Sequence, residues 1–224
     1  MKIGSNILKI AVLIRCYHAT EYLARVLRNY SWVDKILVMN YRFTSVALTS
    51  DDTQEIAAQF ANVEIEKGEG LPQHEIFNSG LDKLSDYDYV FISDADEFIL
   101  PADQKLMVDY LYSHNLISGF CMLRDYFYDP YHCMPQRTGY FLAVTNPKAL
   151  RFIHIRQVQC NSAKRQDFPY LIHHFGFALQ PDRLQWKMQW ESIEENVNVA
   201  ANVAKMQIQT CLPPVELLQI LKES

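Results

Sequence analysis

The sequence is poor in the residues that mark non-globular chains. Seven glycines and nine prolines in 224 residues leave no room for collagen-like or low-complexity material. No basic block occurs, and 26 acids against 21 bases give a formal charge of -5, so the electrostatic footprint of a nucleic-acid binder is missing. Long apolar runs are absent too. Lys9 interrupts the first such stretch and Arg15 ends it, which is too short for a signal-peptide core or a bilayer span. The five cysteines are odd in number, widely scattered and never at zinc-like spacing, so they read as buried thiols in a reducing, cytoplasmic compartment. What is abundant is apolar residues, 49% of the chain, with 12% aromatic. At this length they suffice for one hydrophobic core without disulfide or structural metal.

Strand and helix patterns alternate through the first 93 residues. Strands are expected at Leu8 to Ile14, Lys35 to Asn40, Val63 to Lys67 and Tyr87 to Ser93. Helices are expected at Thr20 to Tyr30, Asp52 to Phe60 and Pro72 to Leu84, the last with proline in its first turn. Such alternation implies a mostly parallel sheet covered on both faces. Beyond Asp96 the pattern becomes mixed. A helix at Ala102 to His114 precedes strands at Gly119 to Tyr128, Tyr140 to Val144, Arg151 to Val158 and Tyr170 to Phe177. A long helix is expected from Pro181, its Trp186, Trp190 and Ile193 stripe serving as core, and a short one at Val215 to Lys222. The expectation is a single domain over 1–224, with residues 1–100 as one half and 101–224 as the other.

Chemistry concentrates in Tyr89-Val90-Phe91-Ile92-Ser93-Asp94-Ala95-Asp96-Glu97-Phe98, an apolar strand running into three acids. Residues two apart on a strand share a face, so Asp94 and Asp96 are expected to project together from the strand's carboxyl end, where ligands of open α/β sheets bind. Paired carboxylates repel unless a cation or proton separates them, and oxygen ligands suit Mg²⁺ or Mn²⁺. The bland alternative is a solvated acidic turn.

This segment, after four β/α alternations, resembles the DxD motif of GT-A glycosyltransferases. Asn78-Ser79-Gly80-Leu81 resembles the Asn-x-Gly-Leu segment of the family-2-like members. The compact size and the His173-His174-Phe175 segment are similar to the glycosyltransferase domains of algal-virus (chlorovirus) capsid-glycosylating proteins. The chain departs from the pattern at Met39-Asn40-Tyr41-Arg42, where an Asp-Asp-Gly-Ser turn is usual. It has Phe77 in place of an arginine, and it lacks the QxxRW motif of processive synthases.

The resemblance implies an α/β fold of GT-A type: a mostly parallel, Rossmann-like sheet with helices on both faces and a smaller mixed acceptor half. It implies non-processive transfer of one sugar from a nucleotide-sugar donor, UDP-sugar rather than GDP-sugar, to a glycan or glycoprotein acceptor. Mn²⁺, or Mg²⁺, would be held by Asp96, Asp94 and a late histidine, with His174 preferred to His173. Arg15, Tyr17, Asn40, Lys67, Asn78, Asp94 and Ala95 are the expected nucleotide-sugar contacts, Arg15 through its phosphate-matching fork and Tyr17 by stacking under the base. An inverting reaction needs a carboxylate base, for which Asp125 and Glu191 are the candidates. The aromatic cluster Tyr126, Phe127, Tyr128, Tyr131 and His132 offers a stacking surface for sugar, or else core. The rivals are a DxD phosphotransferase, disfavoured because the motif follows the fourth strand, and a silent nucleotide-sugar-binding domain.

Overall fold

A computed structural model describes residues 1–3, 6–16, 20–42, 52–134, 140–154, 157–159, 162–178 and 208–222. After a small hairpin, β1 (Lys2–Ile3) and β2 (Asn6–Ile7), the chain lays down β3 (Ile10–Cys16), α1 (Thr20–Asn29), β4 (Lys35–Arg42), α2 (Thr53–Ala57), β5 (Val63–Glu69), α3 (Gln73–Lys83) and β6 (Tyr89–Asp94). There follow β7 (Glu97–Phe98), α4 (Pro101–Ser113), β8 (Ser118–Phe127), β9 (His132–Cys133), β10 (Tyr140–Thr145), the hairpin β11 (Arg151–His154) with β12 (Gln157–Gln159), and β13 (Arg165–Phe177). β14 (Gln209–Thr210) and α5 (Val215–Lys222) complete the described chain.

The central sheet runs β14-β9-β8-β10-β6-β3-β4-β5, with β13 joining β8 and β7. β5, β4, β3 and β6 are mutually parallel. β10 is antiparallel to both β6 and β8, so β8 points the same way as β6. Both faces are covered, which is why the inner strands are apolar at consecutive positions. On β3, Ile10, Val12, Ile14 and Cys16 enter one core with Leu23, Val26 and Leu27 of α1 and Met107, Val108 and Leu111 of α4. Ala11 and Leu13 enter the other with Ile76, Phe77 and Leu81 of α3. Gly80 lets α3 approach this closely, since a Cβ there would lie 2.3 Å from Leu13 Cδ1. The expected mixed α/β architecture with a largely parallel sheet and helices on both faces is the one observed.

Two elements differ from their sequence reading. The single strand expected at Arg151 to Val158 is a hairpin, because the apolar alternation continues through the reversal and does not mark it. Phe152 of that hairpin stacks on Phe77, centroids 4.7 Å apart, covering the outer side of α3. The last strand starts at Arg165, not Tyr170, because parallel pairing with β8 recruits the polar Arg165-Gln166-Asp167 stretch. Pro169 falls where that register shifts, so its missing N–H costs the ladder nothing. The helix expected from Pro181 lies outside the described residues.

Candidate active site

The site is built where β6 ends. β6 delivers Asp94, and the strand stops there; Ala95 and Asp96 form a turn before β7. The two-residue alternation is therefore broken, and Asp94 and Asp96 take separate partners instead of projecting together. Arg15 sits beside Asp94 in the β3–β6 register. Its Nε and Nη2 donate to Oδ1 and Oδ2 of Asp94, each at 3.0 Å, a bidentate fork across neighbouring strands. The third guanidinium nitrogen, Nη1, is buried with no hydrogen-bond partner among the described residues.

Asp96 faces β13. Its carbonyl accepts the Phe175 N–H at 2.9 Å, and its Oδ1 lies 3.6 Å from His174 Nε2. The other ring nitrogen of His174, Nδ1, is 2.5 Å from Asp125 Oδ1. Asp125 has no exposed surface. An ionised carboxylate only accepts, so in this contact Nδ1 is the donor, and Nε2 is the nitrogen turned toward Asp96. The chain Asp125, His174, Asp96 joins β8, β13 and the β6–β7 turn. These segments lie 29 to 78 residues apart in sequence and come together through the pairing of β13 with both β8 and β7.

Deeper packing holds this geometry. The Asp94 N–H donates to Glu97 Oε2 at 3.0 Å, and Ser93 Oγ donates to the carbonyls of Asp94 and Glu97, so Glu97 braces the turn from within. Glu97 was visible in the sequence as the third acid of the run, but nothing there marked it as an internal brace. Asn29 of α1 donates to the Ile99 carbonyl just beyond β7. Phe98 and Phe175 pack edge to face at 5.6 Å, and Tyr126 stacks on Phe175 at 4.6 Å. His173, adjacent in sequence to His174, points into this aromatic layer. Its Nδ1 shares a 2.8 Å hydrogen bond with the Tyr126 hydroxyl. Burial, reinforced by the nearby positive charge of Arg124, lowers its pKa to about 3, so it is a neutral core imidazole.

Several expected contacts fall elsewhere. Asn78 does not face the sheet edge: its Nδ2 donates to the Phe152 carbonyl and its Oδ1 accepts the Phe152 N–H, both at 2.9 Å, clipping α3 to the β11–β12 hairpin. Asn40 and Lys67 pair with each other in register across β4 and β5. Strand alternation puts them on the face of Val38 and Ile65, opposite to Arg15 and Asp94, and Lys67 donates to Gln54 of α2. Asp125 does not fit a base that meets an acceptor hydroxyl, being wholly buried against His174. Ala95 lies in the turn itself, nearly buried. Tyr17 and Glu191 lie outside the described residues. Tyr126 and Phe127 are core, whereas Tyr128 and Tyr131 are exposed.

The fold has known counterparts. A mannosyltransferase from Pyrobaculum calidifontis, solved with GDP-Man and Mn²⁺, superimposes with a TM-score of 0.55 at 13% identity, over 97% of this chain and 69% of that one. S. aureus TarS aligns with a TM-score of 0.51 at 12% identity, over 96% of this chain and 42% of that one. A shorter form of TarS, residues 1-349, solved with UDP-GlcNAc, gives 0.50 at 12% identity, over 96% and 71%. In another structure of TarS 1-349, the matched part of this chain spans 65% of that protein's length. At these identities the likeness is one of fold. No family profile and no curated protein matches the sequence.

Proposed function

We propose that the chain is a metal-dependent, non-processive glycosyltransferase that moves one sugar from a nucleotide-sugar donor to a glycan or glycoprotein acceptor. One observation carries the reading: Asp96 and His174, distant in sequence, converge to 3.6 Å at the carboxyl end of a parallel sheet, beside the Arg15–Asp94 fork. Among the described residues no three His, Cys, Asp or Glu side chains cluster tightly enough to hold an ion by themselves. Asp96 Oδ1 and His174 Nε2 do fit two positions of an ion whose remaining ligands are diphosphate oxygens and water. The mixed oxygen and imidazole set favours Mn²⁺ over Mg²⁺. Bound there, the ion would neutralise charge growing on the departing nucleoside diphosphate.

The chain's own residues supply the rest. Asp125 fixes the tautomer and orientation of His174, the usual work of a carboxylate behind a metal-binding imidazole. Arg15 holds Asp94 with two nitrogens and has Nη1 in place for a phosphate oxygen. Because Asp94 is gripped by Arg15, it acts on the ribose side more than as an ion ligand. Glu191 is the proposed acceptor-side base. Residues 1–100 carry the donor contacts and 101–224 the acceptor side, with Asp125 and His174 crossing that division.

UDP-sugar is the favoured donor and GDP-sugar its rival; TarS binds UDP-GlcNAc and the mannosyltransferase GDP-Man. The thiols of Cys16, Cys121, Cys133 and Cys211, none in a disulfide, suit a reducing, cytoplasmic site of action. That site would be the host cytoplasm if the algal-virus resemblance holds. Among the described residues no helix is long and apolar enough to cross a membrane.

The test is a thermal-shift panel of UDP and GDP with and without Mn²⁺. Ligand at a hundredfold over its Kd adds about 2.7 kcal/mol, roughly 5–10 °C for a chain of this size. Asp96→Ala should abolish the Mn²⁺-dependent part. No stabilisation by either nucleotide, or full stabilisation in Asp96→Ala, would refute the metal-diphosphate reading. Absence of donor hydrolysis despite binding would leave a silent binder.

A further inference from the structure

We propose that the turn between β8 and β9 is an acceptor subsite for a pyranose ring, with Tyr128 and Tyr131 as its stacking faces. The acceptor role rests on the transferase reading above; the sugar-binding surface itself is argued from the turn. Tyr126 and Phe127 are buried and serve the core, but Tyr128 is 69% exposed and Tyr131 45% exposed. Tyr128 also has a φ of 64°. That left-handed conformation suits glycine or asparagine, and a bulky side chain takes it only under strain, which is found mostly where function demands it. Here the chain keeps a large ring, in strained backbone, pointing at solvent.

The turn is held firmly. Asp129 Oδ1 accepts the Tyr131 N–H and pairs with His132 Nδ1, each at 2.8 Å. The Cys211 N–H donates to the Tyr131 carbonyl at 2.8 Å, and β9 is flanked by β8 and β14. Slight burial pushes the Asp129 carboxyl up, but hydrogen bonds from His132 and the Tyr131 N–H outweigh it and hold the group below its ordinary range. The turn therefore presents two phenol rings beside an ionised carboxylate and an imidazole. Aromatic faces match the C–H face of a pyranose, and the polar rim matches its hydroxyls. A lipid chain would use the rings and waste the rim.

Location agrees. β8 points the same way as β6, and Tyr128 follows Asp125 by three residues, roughly 10 Å of extended chain. Asp125 contacts His174, which faces Asp96. The rings thus follow the end of β8 that points the same way as the end of β6, where the DxD turn lies.

The test uses the full chain labelled with 3-fluorotyrosine, with the residue 128 and 131 signals assigned by Tyr→Phe substitution. ¹⁹F spectra are followed during titration with methyl glucopyranoside, galactopyranoside and mannopyranoside, and with maltose, cellobiose and lactose. Both signals should move saturably with at least one of these sugars. Tyr128→Gly removes the ring and relieves the backbone, so the fold survives; binding should weaken about tenfold. No movement of either signal with any sugar, or undiminished binding by Tyr128→Gly, overturns the subsite. Nucleotide-dependent stabilisation is measured on the same samples. Its loss with sugar shifts intact would sink the transferase reading and leave a carbohydrate-binding turn.

Discussion

Replacing Asp125 with asparagine separates positioning from catalysis at this site. The carboxylate is wholly buried, with Oδ1 2.5 Å from His174 Nδ1. Asparagine fills the same volume, so no cavity opens, but it removes the negative charge that holds the ring proton on Nδ1. A hydrogen bond involving a charged group contributes about 1.5–3 kcal/mol, which corresponds to a fall of roughly 3–12 °C in Tm for a chain this long. An outer partner of a metal-binding imidazole typically contributes 10–100-fold to metal affinity, or about 1.4–2.7 kcal/mol. The assay is titration of Mn²⁺ into protein saturated with UDP, read by calorimetry, alongside a thermal melt. Asp125→Asn should weaken Mn²⁺ by about one to two orders of magnitude while UDP alone binds as before. Unchanged Mn²⁺ affinity with collapsed turnover would show instead that Asp125 is the acceptor base, and the buried relay would be the wrong account of it.

Asn78→Ala should lower stability by about 1–3 kcal/mol, the worth of two hydrogen bonds to Phe152, and leave the nucleotide-dependent thermal shift unchanged; loss of that shift would return Asn78 to the donor site. Gly80→Ala gains up to about 1 kcal/mol of helix propensity, but drives a methyl to 2.3 Å from Leu13 Cδ1 in a filled core, at a cost of about 1–3 kcal/mol. Denaturant melts should show net destabilisation, partly recovered by adding Leu13→Val; a Gly80→Ala protein at least as stable as the parent contradicts the packing. His173, neutral in the fold until about pH 3, gives a signed pH effect. Its unfolded form takes up a proton below about pH 6.5, so folding stability is lost as pH falls through the window from 6.5 to 3, by at most about 1.4 kcal/mol per unit. The parent should therefore lose stability faster than His173→Phe across that window, and equal slopes would rule out the buried imidazole as the cause.

The first half of the fold was legible because its signals are local. Apolar runs of strand length, helical spacing such as Leu23, Val26 and Leu27, and Pro72 at the start of α3 each depend on residues within a few positions. The acidic turn at Asp94 to Glu97 was legible for the same reason, as a change from apolar to acidic at a strand end. Reversals within apolar stretches were not. The β11–β12 hairpin and the early start of β13 depend on the partner strand, which local hydropathy does not record.

The site divides along the same line. Arg15, Asp94, Asp96 and His174 were all recognisable as residue types in suggestive places, and a family resemblance pointed to His174 over His173. Which partner each one meets was decided by β13 pairing with β8 on one side and β7 on the other. That pairing buries His173 against Tyr126, turns His174 between Asp125 and Asp96, and leaves Asp125 wholly buried against the His174 imidazole. The sequence by itself determined the alternating strands and helices, the acidic strand end and the chemical inventory. Tertiary structure alone decided the faces and the pairs, sending Asn78 to a hairpin, Asn40 and Lys67 to the far side of the sheet, and Tyr128 to solvent. The reason is physical: periodicity is set by neighbours along the chain, whereas a side chain's partner is set by which distant strand wins its backbone hydrogen bonds.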